Sequence, residues 1–498
     1  MPVIEPASFP LDRAETSQDP PWDPSRLAFW SRVREFAVPL PMIEAATARR
    51  RVGDWAGACA AAHVDVEFDL RALARVRGRE LAARIRADLR HLAPDLLRWN
   101  LPRVAPDGLL RPGLTMALAC YDDDGMHSGK AGFVHLVVRT PPAWADAGQR
   151  ISLALWDGSG TSAHPHPRPD RRFRLDLHRH LWDARRTTEL RTRCGASGRD
   201  ALLRPPAASF STNFAALASR GCAVERWADE AAILLDAERA RAGDLDDPVP
   251  GGLILVRCGV RRRVVLDVRA DRGVPSVPRN GVHDQPVLRI ARNHPQGALS
   301  ALPVLPDAAT WVLPDLMLLR VGAISADRLH PLVAAALVPG WSPTDAPGVS
   351  TSASSPRIVE CRGAQHRIGL VNGELTALDH DPAEIRREDL LVALTGTPLP
   401  CLQAIDQVHR HPDRLAGIRE RLDHGDTAGA LALVEGMLGP GARLRDGPLR
   451  DELDSAVRRR VTYGLFRAGL PAPGHGLDRS PPRPRSERAR HPRHTKAS

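Results

Sequence analysis

Lysine is nearly absent from this chain. Of its 69 basic residues only Lys130 and Lys496 are lysines, so arginine carries almost all of the positive charge. That bias, with abundant alanine and proline, is what a GC-rich genome produces, and it weakens any argument that runs from arginine to nucleic acid. Close cysteine pairs are also absent. The seven cysteines stand at 59, 120, 194, 222, 258, 361 and 401, none in a Cys-x-x-Cys pair. This speaks against a disulfide framework or a zinc ribbon and fits thiols in a reducing compartment. No apolar run approaches a membrane span, and residues 1–24 lack the basic-then-apolar pattern of a secretion signal. The chain therefore reads as cytoplasmic, without a membrane partner. Complete catalytic signatures are missing too: no Gly-x-Gly-x-x-Gly follows a strand, and neither a Gly-x-Ser-x-Gly nor a His-Glu-x-x-His is present.

What is there is ordinary globular protein. The 498 residues are 43% hydrophobic and 26% charged, enough for roughly two to four domains. The net charge is +10, and half of it lies in residues 471–498, where six arginines and Lys496 face only Asp478 and Glu487. This Arg-rich tail could touch nucleic acid. It has no interleaved aromatic residues on which bases would stack, so a disordered, solubilising tail is the favoured reading.

One octet occurs twice. Gly53-Asp54-Trp55-Ala56-Gly57-Ala58-Cys59-Ala60 and Gly425-Asp426-Thr427-Ala428-Gly429-Ala430-Leu431-Ala432 agree at six positions. Each follows a polar helical run and precedes an apolar one. Glycine can end a helix in the left-handed conformation, and aspartate can cap the next one. Each copy therefore predicts a tight helix–helix corner. Around these corners the pattern predicts an α+β, multi-domain chain. A Pro-rich, disordered stretch covers 1–25, and a helical domain covers 26–112. The region 113–341 is α+β, with strands at Thr115–Tyr121, Phe133–Arg139 and Ile151–Trp156 and a half-buried strand through Phe173, Leu175 and Leu177. Helices follow at Asp183–Cys194, Asn213–Arg220, Val224–Arg241 and Leu329–Val338, with a hairpin of Gly252–Cys258 and Arg263–Val268. Residues 342–356 have a linker's composition. Residues 357–470 should form a β-meander followed by a helical bundle.

The meander has a computable register. Asn372-Gly373 is a two-residue turn signal. It sets Ile368 opposite Ala377, Leu370 opposite Leu375 and His366 opposite Asp379. His366 and Asp379 then form a structural pair at a sheet end. A catalytic version would use Asp379 to orient His366 as base and Cys361 on the adjoining strand as nucleophile. The metal candidates are Asp176, His178 and His180, which would share one strand face with His164 and His166 just upstream. A solvated polar face explains the same alternation. Gly125–Ala131 resembles a phosphate loop, but its first glycine is misplaced and Ala131 stands where Ser or Thr would meet magnesium.

The two Gly-Asp corners resemble those of tetratricopeptide hairpins. Val52–Phe68, Phe173–Arg185 and Asp379–Leu470, with its Leu399-Pro400-Cys401-Leu402-Gln403-Ala404-Ile405-Asp406 core, resemble a group of actinobacterial proteins. The resemblance brings no activity and no catalytic residue. It implies the company of an AAA-type ATPase. The leading expectation is a cytoplasmic interaction or accessory protein, without catalytic activity or cofactor, whose partner is another protein. The alternatives are a metal-dependent hydrolase built on the central His/Asp cluster and nucleic-acid binding through the tail.

Overall fold

The computed structural model describes residues 24–123, 132–146, 148–158, 164–196, 212–242, 251–259, 262–269, 287–291, 299–342, 357–361, 363–371, 374–381, 383–387, 390, 400–410, 415–439, 441 and 443–470. The terminal stretches, most of the linker stretch and the loop resembling a phosphate site lie outside these residues. The chain has an N-terminal helical region, a central mixed region with sheets, and a C-terminal antiparallel meander followed by helices. No helix among the described residues is long and apolar enough to cross a membrane.

The first Gly-Asp corner joins the helices Leu40–Arg51 and Trp55–Ala61. Gly53 takes φ 78°. Asp54 accepts the Gly57 N–H at 2.8 Å and an Arg49 guanidinium bond at 3.2 Å. The second corner, between Leu415–His424 and Thr427–Leu438, repeats this pattern. Gly425 has φ 86°, and Asp426 accepts from the Gly429 N–H at 2.9 Å and from Arg421 at 2.6 Å. Arginine five residues before the aspartate is part of the motif in both copies. The helices Leu70–Arg77, capped by Asp69, Arg79–His91 and Pro94–Trp99 follow in the same region.

The central sheet contains β1 (Val64–Val66), β4 (Thr115–Asp123), β5 (Gly132–Arg139) and β6 (Ile151–Trp156) in the order β1-β6-β5-β4. β1 is parallel to β6, and the other pairs are antiparallel. A short ribbon, β2 (Arg103–Val104) with β3 (Leu109–Leu110), stands apart. Arg98 is fully buried and donates to the carbonyls of Ala37 and His424, at 2.9 and 3.0 Å. An arginine without an ion pair among the described residues can be buried there because backbone oxygens solvate it.

Two expectations fail in this region. Phe173–Leu177 is not a strand; only Arg174 makes an isolated bridge, to Ala117. Its carbonyls turn into local bonds instead. Arg174 O accepts the Leu177 N–H, and Leu175 O accepts both the His178 N–H and the Trp182 indole N–H. Asp183–Cys194 is helical only at Thr187–Glu189, a 3₁₀ turn, and Leu190–Arg193. The Asp183 carboxylate caps no long helix. It is fully buried against Arg179 and Arg185, which also grip Asp88.

The remaining strands are β7 (Gly251–Arg257), β8 (Arg263–Arg269) and β9 (Val287–Ile290), an antiparallel sheet, and β10 (Arg357–Cys361), β11 (Ala364–Val371) and β12 (Glu374–Ala377), the C-terminal meander. Compact units do not follow chain order. One comprises Met1–Arg32 with Thr188–Ser342, and the other Val33–Thr187 with Pro343–Ser498. In the first, the 16-residue helix Trp227–Ala242 packs beside β7–β9, and Trp227 donates to Thr310 O at 3.2 Å. In the second, the meander and the closing helices share an apolar core of Ile368, Leu375, Ile405, Ile418, Leu422 and Val434.

Candidate metal centre

Strand alternation and helix spacing bring four ligand-type side chains to one end of that core. In β11, His366, Ile368 and Leu370 fall on one face. Across the ladders this face meets Val359 of β10 and Ala377 and Leu375 of β12. Cys361 closes β10, paired with Ala364 around a turn in which Gly363 has φ 79°. The helix Pro400–Arg410 lies over this face with Cys401 and Ile405, four residues apart, both buried. His380 arrives from the turn after β12. Cys361, His366, His380 and Cys401 each offer a ligand atom, and these atoms lie within 4.8 Å of one another.

The register of β11 and β12 is the expected one at Ile368–Ala377 and Leu370–Leu375. The partner of His366 is not. The ladder stops at Ala377, and the chain turns through Leu378–His380. Asp379 folds back onto Arg367, accepting its backbone N–H at 2.6 Å and its guanidinium at 2.8 Å. Arg367 thereby holds the Asp379 carboxyl down to about 2. With Asp379 engaged there, His366 Nδ1 meets His380 Nε2 at 2.6 Å, the rings edge to face at 71°. His366 Nδ1 also lies 3.9 Å from Cys401 Sγ.

The environment suits a soft or borderline cation. Cys361 and Cys401 are 1% and 0% exposed, and Ala377, Val359, Ile385 and Leu402 surround them. Burial, then the neighbouring Cys361 thiol, pushes the Cys401 thiol up to about 11. Two thiols and two imidazoles in an apolar wall form a poor core unless a cation takes the thiolates, because a coordinating thiol loses its proton outright. Two sulfurs and two ring nitrogens are a tetrahedral zinc set. For such a site the S···N edge is about 3.5 Å and the N···N edge about 3.3 Å, from Zn–S of about 2.3 Å and Zn–N of about 2.0 Å. The observed 3.9 Å fits. The two rings, sharing a proton at 2.6 Å, would separate by a fraction of an ångström. On its far side His380 Nδ1 lies 3.4 Å from Glu384 Oε2, the carboxylate–histidine support common behind metal ligands.

The central candidates are used otherwise. The Asp176 carboxylate is gripped by Arg174, with bonds of 2.8 Å from both Nε and Nη2. His178 Nδ1 bonds Arg174 O at 2.9 Å, and the His178 and His180 ring centroids stand 5.8 Å apart. His164 bonds Thr140 O at 2.9 Å. Among the described residues, Asp176, His178 and His180 form no group within mutual ligating distance, whereas the C-terminal four do. Sequence reading singled out Cys361 and His366 but missed His380 and Cys401, since ligands separated by 13 and 20 intervening residues match no short motif. Comparisons of the chain with protein-family models, curated proteins and solved structures give no match.

Proposed function

We propose that the chain is a zinc-binding protein whose ion, held by Cys361, His366, His380 and Cys401, is structural and organises a C-terminal interaction module. The observation that carries this is the convergence of four ligand atoms within 4.8 Å from a strand end, a strand, a turn and a helix. Four protein ligands leave no position for a reacting water, which is the arrangement of structural rather than catalytic zinc. The ion would fix the helix Pro400–Arg410 to the meander. All seven cysteines are thiols, which supports a reducing compartment, the cytoplasm. The partner is another protein; an AAA-type ATPase is the class that the sequence resemblance implies, and affinity purification from the native host tests it. Elemental analysis of the purified full chain tests the metal reading. About one zinc per chain is expected, lost in Cys361→Ser and Cys401→Ser. A wild-type protein that takes up no zinc under reducing conditions overturns it.

A second reading is a metal-dependent hydrolase at this same site. It rests on His366, the only half-buried member of the set. If His366 swings away, two thiolates and one imidazole remain, with an open fourth position. A His366→Ala protein that keeps its zinc and hydrolyses activated esters would favour it. Zinc loss without activity supports the structural assignment.

A further inference from the structure

A cleft of about 430 Å³ opens in the same compact unit as the metal centre, at the second Gly-Asp corner. Its volume lies in the range of small-molecule sites. Its lining includes the apolar Pro39, Pro41, Met42 and Leu422 and the basic Arg150, Arg459 and Arg460, with His63. The Gly425–Ala428 stretch, which opens the helix Thr427–Leu438, also lines it.

The carboxylates here are already engaged. Asp65 takes Arg150 bidentately at 2.7 and 3.0 Å. Asp426 takes Arg421 and the Gly429 N–H. Asp423 Oδ1 stands 3.0 Å from Arg459 Nη2, but that nitrogen makes no hydrogen bond of good geometry and is buried. Arg460 is exposed and makes no ion pair with any described residue. Arg460 thus stands at the cleft as a guanidinium that no described carboxylate pairs, beside the Arg459–Asp423 ion pair. His63 records the same field: burial, then Arg98 and Arg150, push its imidazole down to about 3, so it lines the cleft as a neutral ring.

We propose that this cleft binds a small organic phosphate, with the phosphate on Arg459 and Arg460 and the organic body against Pro39, Met42 and Leu422. Guanidinium forks match phosphate oxygens bidentately, and the apolar part of the lining gives the body a place that bare phosphate cannot use. The site is independent of the zinc assignment.

Calorimetric titration of the full chain with phenyl phosphate, inorganic phosphate, benzoate and phenol tests this. Phenyl phosphate should bind saturably, at least about tenfold more tightly than the other three, and more weakly as salt rises. Arg460→Gln, an exposed substitution that leaves the fold intact, should weaken it about tenfold. Arg459→Gln should do the same. No saturable binding of phenyl phosphate overturns the proposal, as does equal binding by a folded Arg459→Gln/Arg460→Gln double variant. Tighter binding of benzoate overturns the choice of phosphate, and tighter binding of phenol shows an apolar cleft only.

Discussion

The twin Gly-Asp corners make an internal control, because the same substitution meets different surroundings in each. At Gly53 an added Cβ would meet nothing within 4 Å. Gly53→Ala therefore costs only the left-handed conformation at φ 78°, about 1–2 kcal/mol. At Gly425 the φ is similar, 86°, but the Cβ would stand 1.9 Å from the carbonyl oxygen of Gly148 and 2.8 Å from its carbon. Backbone cannot step aside as a flexible side chain can. Overpacking of this kind adds about 1–3 kcal/mol to the conformational cost, so Gly425→Ala should lose about 2–5 kcal/mol. Gly57 and Gly429 give the complementary control. A Cβ there would press on Oδ2 of the capping aspartate, at 2.1 and 2.2 Å respectively. Alanine at either should displace the cap and cost about 1 kcal/mol, equally at both corners. Both corners lie in one compact unit, so urea unfolding followed by circular dichroism compares them on one transition. Equal losses in Gly53→Ala and Gly425→Ala would refute the close approach of residues 148 and 425.

Three further outcomes are expected. Asp379 is held at about 2 against an ordinary 3.8. A depressed carboxylate contributes above its unfolded value and loses that contribution as pH falls through its folded one. The stability difference between wild type and Asp379→Asn should therefore shrink between about pH 4 and about pH 2; a pH-independent difference in unfolding midpoints would rule out the Arg367 clamp. His63, at φ 58° and with its imidazole at about 3 instead of 6.5, binds into the fold as the neutral ring. Its contribution is complete above about pH 6.5 and falls away towards pH 3, so His63→Asn, which tolerates the left-handed region, should flatten the stability profile in that window. An unchanged slope would mean the ring is not held neutral. Glu384→Gln should lower zinc affinity about tenfold, read by competition with a metallochromic indicator; unchanged affinity would remove Glu384 from the support of His380.

Local chemistry made much of the fold legible. The caps at Asp54 and Asp426 form as the octet predicts, because a cap is written in three or four neighbouring residues. The β11–β12 register follows from turn length and pleat alone. Phe173–Leu177 misled because alternation is satisfied equally by a turn whose apolar side chains are buried, and the deciding partner, the Trp182 indole on Leu175 O, is a non-local choice. The candidate site was half legible. His366 lies on a hairpin of computable register with Cys361 on the adjoining strand, but His380 depends on Asp379 leaving the ladder for Arg367, and Cys401 depends on how a helix docks on the sheet. Neither event is encoded in a neighbouring pair of residues.

X-ray absorption at the zinc edge of the metal-loaded full chain tests the central claim most directly. Two sulfur scatterers at about 2.3 Å and two nitrogen scatterers at about 2.0 Å are expected, and no bound zinc in the Cys361→Ser/Cys401→Ser double variant. A first shell of oxygen and nitrogen alone would contradict the assignment of the ion to Cys361, His366, His380 and Cys401.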